Sequence, residues 1–421
     1  GVLGVFIGSY LIPYVIWNIY KKIFYIPIFL YSINSVYNML GFWICILCIS
    51  IISFGGISMA QKGRVKKVFP GGNTSRGFFS FYDYIIPEDA ERIFVIKGGP
   101  GTGKSSFMRT IGEEFLKLGY DVELHFCSSD NKSLDGVVIK KANVALLDGT
   151  APHVVDPKHP GAVGEILNLG EYWDEPRLVK DKYYIINCNK QIKMRFESAY
   201  RYLGAAKEMQ DDMEEIIGEG VDREKLNKLK TELRYELVDG VSAINKNAAV
   251  RHLFDSSITP EGLVDYVESI IQSNYICYYL KGGAGTVSTE ILSFLADEYI
   301  MKGYGVELYH QPLNPDRLQT LVVEGLKVGI TINPKTEMKA YKIIDLDTII
   351  DEGKFKDKAE LLQKDAETYL RMLEEGVRRI KIAKLIHDDM EKKYVGCMDF
   401  GAVTELRNNT VERIKGILKN K

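Results

Sequence analysis

The sequence predicts an α/β protein built from two tandem copies of one domain, each a mostly parallel sheet flanked by helices and followed by a helical tail. Three observations lead to this prediction. A strand, a glycine-rich loop and a helix follow one another between residues 92 and 118, and a similar stretch recurs 184 positions later. The tails also repeat, as "AKEMQDDMEE" at 206–215 and "AKLIHDDMEK" at 383–392. Strands that alternate with helices favour a parallel sheet, and internal similarity at a fixed offset indicates duplication.

The composition is that of an ordinary globular protein. Of the 421 residues, 46% are hydrophobic and 26% are charged, and the formal net charge is −2. This balance gives no indication of a nucleic-acid partner. The six cysteines are scattered and do not form the two Cys-x-x-Cys pairs of a structural zinc site. We therefore expect a reducing, cytoplasmic environment.

Residues 1–58 differ from the rest of the chain, because Lys21 and Lys22 are their only charged residues. We predict that this apolar N-terminal segment is upstream sequence read in frame with a start at Met59. The alternative is a membrane anchor within residues 23–57, which is long enough for one spanning helix and would leave the C-terminal part in the cytoplasm. In both cases we expect the folded domains to cover residues 59–250 and 251–421.

The stretch "GGPGTGKS" is a complete G-x-x-x-x-G-K-[ST] motif between a predicted strand and a predicted helix. Its glycines allow backbone N–H groups to surround a phosphate, and the helix beginning at Lys104 adds the positive end of its dipole. Lys104 would contact the β and γ phosphates, and the Ser105 hydroxyl would bind Mg²⁺. The residues predicted to contact the nucleotide are Gly98, Gly99, Pro100, Gly101, Thr102, Gly103, Lys104, Ser105 and Ser106.

Acidic residues follow two predicted strands. Asp148 ends the buried-strand run "NVALLD", and we expect it to hold Mg²⁺ together with Ser105. Asp130 follows the strand "VELHF" and is a candidate for orienting the attacking water or a substrate hydroxyl, or else an ordinary turn residue. His153 is a further candidate for a phosphate contact, with a structural hydrogen bond as its alternative. The predicted catalytic residues are Lys104, Asp148 and Asp130.

On the motifs "GNTSRGFF", "GGPGTGKS" and "LLDGTAPHVVDPKHPGAVGEILNLG", residues 65–421 resemble the P-loop NTPases, and among them a bacterial family of tandem P-loop ATPases. The resemblance implies a P-loop NTPase fold in each half, with ATP and Mg²⁺ as ligands. The guanine-selecting pattern Asn-Lys-x-Asp does not follow Asp148, so we expect adenine.

The second copy keeps glycines of the loop but lacks the residues expected to bind the phosphates and the metal ion. At the offset of 184, eleven of the 28 residues from 97 to 124 are identical. The substitutions that remove the chemistry are at Gly103, Lys104, Ser105 and Asp148, which correspond to Val287, Ser288, Thr289 and Ile332. We predict that the second copy processes no triphosphate and has a structural or regulatory role, with weak binding as the remaining alternative. The β-branched Val287 also indicates that its loop has relaxed, since glycine readily adopts positive φ and valine does not.

Both tails carry apolar residues at three- and four-residue intervals, which predicts long amphipathic helices. We expect each tail to fold as a helical hairpin, packed either on its own sheet or on the sheet of its twin, and binding of a partner is the alternative to this core packing.

The predicted function is a Mg²⁺-dependent ATPase with one active site and one degenerate copy. The alternatives are a small-molecule or nucleoside kinase and a nucleotide-sensing module without turnover. Between Asp148 and Arg195 the only arginine is Arg177, whereas a kinase lid commonly supplies several, so this region favours the ATPase.

Overall fold

A computed structural model describes residues 62–150, 154–282 and 285–420 of the chain. The segment 1–58, for which we predicted upstream sequence or an anchor, lies outside the described residues, and so does His153. Within the described ranges, no helix combines the length and the apolar composition that crossing a membrane requires.

The first half forms a six-stranded mixed sheet and a separate hairpin. Its strands are β1 (Val65–Val68), β2 (Gly71–Thr74), β3 (Gly77–Ser80), β4 (Arg92–Lys97), β5 (Val122–Phe126), β6 (Leu134–Ile139), β7 (Val144–Asp148) and β8 (Gly164–Asn168). The order across the sheet is β1, β5, β6, β7, β4, β8, while β2 and β3 form the hairpin. β6 runs antiparallel to both of its neighbours, and the other pairs are parallel.

The second half repeats this arrangement. Its strands are β9 (Val250–Leu253), β10 (Ser256–Thr259), β11 (Gly262–Asp265), β12 (Ile276–Lys281), β13 (Val306–His310), β14 (Leu318–Val323), β15 (Val328–Thr331) and β16 (Lys342–Asp345). The sheet order β9, β13, β14, β15, β12, β16 matches the first sheet, and β14 is the antiparallel strand. The predicted α/β class with two mostly parallel sheets is therefore confirmed, with one reversed strand in each sheet.

A tight turn reverses the chain after each antiparallel strand. Asn143 and Lys327 lie in these two turns with φ of 53° and 54°, and they are 184 positions apart. Because few non-glycine residues adopt positive φ, the shared conformation shows that both copies keep the same turn.

The helices are α1 (Lys104–Lys117), α2 (Glu175–Lys180), α3 (Lys182–Gly218), α4 (Arg223–Arg234), α5 (Val267–Ile270), α6 (Gly285–Met301), α7 (Ala359–Val395) and α8 (Phe400–Lys419). The two 37-residue helices α3 and α7 confirm that the tails are helical, but the expected hairpin within each tail is wrong, because the long helix of each tail pairs with the long helix of the other. They run antiparallel along each other. Asp181 at the start of α3 pairs with Lys393 near the end of α7 at 3.1 Å, and Leu203 packs against Gly376 near the middle.

The shorter helix of each tail packs on the sheet of the other half. Leu226 and Leu233 of α4 belong to the apolar core of the second sheet. Val411 and Ile414 of α8 belong to the core of the first sheet. Of the two arrangements expected for the tails, packing on the twin is the one that forms. Each half therefore needs the tail of the other half to complete its core.

Buried ion pairs join the halves across a local two-fold relationship. Lys66 of β1 pairs with Glu307 of β13, and its counterpart Arg251 of β9 pairs with Glu123 of β5. Only 1% of the Glu123 side chain is exposed. Burial alone would raise the pKa of Glu123, but the charges of Arg251 and Lys66, together with a hydrogen bond from His125, hold it well below its ordinary value. The charged residues at this interface thus compensate one another.

Candidate functional site

The first glycine loop connects β4 to α1 in a conformation that depends on glycine. Gly101 and Gly103 have φ of 69° and 89°, in the left-handed region, and Gly103 is the residue immediately before α1. The buried Thr102 lies between them and donates from its hydroxyl to the carbonyl of Gly99 at 2.9 Å. The loop is thereby wound at the N-terminus of a 14-residue helix, the position where backbone N–H groups bind anions.

The Lys104 ammonium is folded back over this loop. Its Nζ donates to the carbonyls of Gly98 and Gly99 at 2.8 and 2.9 Å, and it lies 3.7 Å from a carboxylate oxygen of Asp148. Asp148 comes close because β7 is the parallel neighbour of β4, with Ile96 and Asp148 in register. The structure therefore brings together the predicted lysine and the predicted metal-binding acid at the carboxyl edge of the first sheet.

Ser105 has a structural contact as well as its predicted role at the metal. Its Oγ accepts a hydrogen bond from the backbone N–H of Leu134 at 2.9 Å, which ties α1 to the start of β6. In the second half, Thr289 Oγ1 accepts the equivalent bond from Leu318 N–H at 3.1 Å. The hydroxyl is thus retained in a copy that has lost the lysine, and a role for it in the fold explains why. Ser106, which we predicted to contact the nucleotide, is exposed.

Asp135 is a second acid beside Asp148, and sequence reasoning missed it. β6 and β7 pair Gly136 with Leu147, so Asp135 and Asp148 are the next positions across this antiparallel ladder. Asp135 is 4% exposed and interacts with Tyr82 and Cys127. Burial, reinforced by the charge of Asp148, raises the pKa of Asp135 to about 7. Two neighbouring carboxyl groups with different environments are a common arrangement for proton transfer.

Asp130 forms an ion pair with a residue of the other half. It accepts hydrogen bonds from Ser133 Oγ at 2.9 Å and from Lys132 N–H at 3.1 Å. Its carboxylate also lies 3.2 Å from Nζ of Lys384, which projects from α7. Ser133 directly precedes Leu134, the partner of Ser105, so this ion pair lies close to the predicted metal site.

The last turns of α7 cover the glycine loop. A Cβ placed on Gly99 would lie 2.9 Å from the ring of Tyr394, and one placed on Gly101 would lie 2.9 Å from side-chain atoms of Glu391 and Val395. α7 belongs to the tail of the second copy. The first site is therefore formed by residues of both halves.

His387, Asp388 and Glu391 form a group of donors on the same face of α7. One potential ligand atom from each residue lies within 4.8 Å of the others, and all three residues are partly exposed. Partly exposed acidic groups often lie together on helices without binding an ion, so we assign no metal to this group.

In the second half, helix replaces the phosphate-binding turn. α1 begins at Lys104, but α6 begins at Gly285, three positions before Ser288, the counterpart of Lys104. Val287 stands where Gly103 gives the first loop a positive φ, and it is helical, 2% exposed and part of the core. Gly283 and Ala284 lie outside the described residues.

A carboxylate of the chain lies at the start of α6. Oε1 of Glu214, from α3, is 2.5 Å from the position of a Cβ on Gly285. Glu214 is 4% exposed and pairs with Arg317 at 2.8 Å. The counterpart acid Glu391 lies beside Gly101 of the first loop, so the difference between the halves is the lysine: Ser288 stands in the second half where the first half has Lys104.

Comparisons of the chain with family models, with curated proteins and with solved structures found no match. The geometry of the site therefore carries the functional argument.

Proposed function

We propose that the first half binds ATP with Mg²⁺ and hydrolyses it to ADP and phosphate, and that the second half has no such site. The observation that carries the proposal is the position of Lys104. Its ammonium lies at the mouth of a left-handed glycine loop and 3.7 Å from Asp148. A lysine, a carboxylate and backbone N–H groups at one helix N-terminus are suited to a metal-bound triphosphate.

Different residues of the first half would bind the phosphate chain and the metal ion. The backbone of the loop and Lys104 bind the phosphate chain and neutralise charge that develops during transfer. Ser105 and Asp148 would hold Mg²⁺, which supplies further neutralisation of the phosphate oxygens. The Ser105 oxygen accepts one bond from Leu134 and keeps a second lone pair for the metal.

We assign the role of general base, the group that takes the proton of the attacking water, to Asp135. A carboxyl group with a pKa of about 7 changes its protonation state near neutral pH, as a general base must. In its ionised form Asp135 accepts a proton from the attacking water, and the water oxygen bonds to the γ phosphorus as the bond to ADP breaks.

One observation favours the kinase alternative. Trp173 and Tyr394, whose ring centroids are 6.2 Å apart, both lie against Gly99, and such a cover over the loop would shield a phosphoryl group from water. A kinase would release little phosphate under any condition, and it would form ADP only when an acceptor is present to take the phosphoryl group. A nucleotide-sensing module would bind ATP and release none.

Phosphate release from ATP and Mg²⁺ by the full chain tests the proposal, with and without a panel of nucleoside and sugar acceptors. We expect release without any acceptor and its loss in Lys104→Ala by about 10²-fold or more, the cost of removing one charge-stabilising donor. Equal release by the variant would refute the site. Release of ADP only with an acceptor would favour the kinase.

A further inference from the structure

A cavity of about 530 Å³ opens at the carboxyl edge of the second sheet. It lies between the β10–β11 hairpin and the long helices α3 and α7, and one wall is formed by Gly282, Gly285 and Ser288. The cavity is therefore at the place where the second copy would hold a nucleotide. Its volume is within the range of small-molecule sites.

The start of α6 disfavours a phosphate in this cavity. In the first half a glycine loop and Lys104 are available to bind an anion. In the second half the corresponding helix already begins at Gly285, three positions before the counterpart of Lys104. The carboxylate of Glu214 is already at that helix end. A negatively charged ligand would have to approach this buried carboxylate with Ser288, and not a lysine, at the position of Lys104, which costs electrostatic energy.

Hydrogen-bond acceptors line the cavity near the glycines. Glu214 and Asp265 are buried acids, and burial raises the pKa of both, so a positive charge beside them would favour their ionised forms. Glu214 pairs with Arg317 at 2.8 Å and accepts a hydrogen bond from Gln210 Nε2 at 3.0 Å. Asp265 lies 3.7 Å from Lys335 and accepts hydrogen bonds from Val267 N–H and the Asn333 amide. Oε1 of Gln210 is a buried acceptor without a hydrogen-bond partner among the described residues.

The wall contributed by α7 is largely apolar. Tyr369, Leu370, Leu373 and Val377 line the cavity from α7, and Ile258 of β10 and Leu313 also line it. The same helix contributes Glu374, Arg378 and Lys381. The cavity thus combines an apolar surface with a charged lining in which four acids, Glu214, Glu261, Asp265 and Glu374, outnumber two bases, Arg378 and Lys381.

We propose that this cavity binds a small molecule that has an apolar body and a protonated amine, and that carries no phosphate. The amine would lie beside Glu214 and Gln210, whose polar atoms are 3.0 Å apart, and the apolar body would lie against α7. The second copy is then a binding site of different chemistry and not an inert scaffold.

Nile red, an uncharged dye whose fluorescence rises in apolar sites, tests the inference on the full chain. We expect saturable binding with about one dye per chain. Phenylbutylamine should displace the dye at a concentration about tenfold lower than phenylbutanoate, which has a similar apolar body and the opposite charge. ATP with Mg²⁺ should not displace it. Equal displacement by the amine and the acid, or tighter displacement by the acid, would overturn the proposal.

Two variants locate the site. Leu370→Trp should fill the cavity and weaken dye binding, while Leu361→Trp, the same change at a position of α7 that is 45% exposed, should leave it unchanged. Glu214→Gln should remove the preference for the amine over the acid. Thermal unfolding shows whether each variant is folded, and if Leu370→Trp is not, the Glu214→Gln result decides. Dye binding unchanged by Leu370→Trp, or an amine preference that survives Glu214→Gln, would refute the site.

Discussion

Glu391 of α7 lies against Gly101 of the first glycine loop, with its Cγ 2.9 Å from the position that a Cβ on Gly101 would take. Glu214 is the counterpart of Glu391 in the repeated tail, and it lies against Gly285, the counterpart of Gly101. Each tail therefore reaches the loop of the other copy. A change in the tail of one half is expected to alter the site of the other.

Substituting Gly101 with Ala tests this contact. The change forces a non-glycine residue into φ of 69° and adds a methyl group against Glu391 and Val395. We expect the free energy of unfolding to fall by about 1–2 kcal/mol or more from backbone strain, together with a loss of ATP turnover. Gly161→Ala is the matched control, because Gly161 has φ of 78° and open space around it. In urea unfolding, Gly161→Ala should lose a similar amount of stability, and it should keep full ATP turnover. Equal turnover in the two variants would contradict the assigned role of the loop.

Asp135→Asn should change the pH dependence of turnover. With a pKa of about 7, Asp135 is mostly ionised above neutrality, so the turnover of the natural protein should rise as the pH passes through about 7. The variant should be slower and should lack this rise. A rise of the same size in the variant would assign the proton to another group.

The carboxyl group of Asp135 should also make the stability of the folded protein depend on pH. Its folded pKa of about 7 is above the ordinary value of 3.8, so the folded state binds more protons and stability falls as the pH rises between these values. Asp135→Asn should reduce that fall. Asp255, also buried and with a pKa raised to about 7, is the control in the second half. Asp255→Asn should likewise reduce the fall and leave the pH profile of turnover unchanged.

Lys384→Ala tests whether the second tail contributes to the first site. The change removes the ammonium that lies 3.2 Å from Asp130, and we expect turnover to fall roughly tenfold, or about 1.4 kcal/mol in activation free energy. Lys207→Ala is the control, since Lys207 is the counterpart of Lys384 and pairs with Asp211 on α3. Steady-state phosphate release would compare the two. An equal loss in both would indicate a general effect of shortening a lysine in the tails.

Arg251→Met tests the buried charges between the halves. It leaves Glu123 buried with fewer compensating charges, which should cost about 3–5 kcal/mol of unfolding free energy. Arg64→Met breaks the exposed pair with Asp121, and it should cost at most about 1 kcal/mol. Urea unfolding of both variants gives the comparison, and similar losses would contradict the role assigned to the buried pairs.

Local patterns predicted the elements around the first loop closely. The strand expected at 92–96 is β4, the strand at 122–126 is β5, and Asp148 ends β7. Those elements follow from short-range signals such as β-branched runs and the spacing of apolar residues on a helix. The long tails follow from the same periodicity.

Those local signals do not predict which distant segments of the chain pair with one another. β6, "LDGVVI", was missed, and with it the position of Asp135 beside Asp148. The apolar run followed by a Lys-Lys-Ala-Asn turn could have indicated a hairpin strand. The approach of Lys384 to Asp130 depends on the antiparallel pairing of α3 and α7, and periodicity predicts only that each helix has an apolar face, not which surface covers it.

The central claim is that the chain has one triphosphate site, in the first half. Calorimetry of the full chain with Mg²⁺ and a non-hydrolysable ATP analogue tests this claim most directly, alongside Lys104→Ala and Ser288→Ala. We predict about one tight site per chain, lost in Lys104→Ala and unchanged in Ser288→Ala. Two equivalent tight sites, or a tight site that persists in Lys104→Ala, would contradict the account.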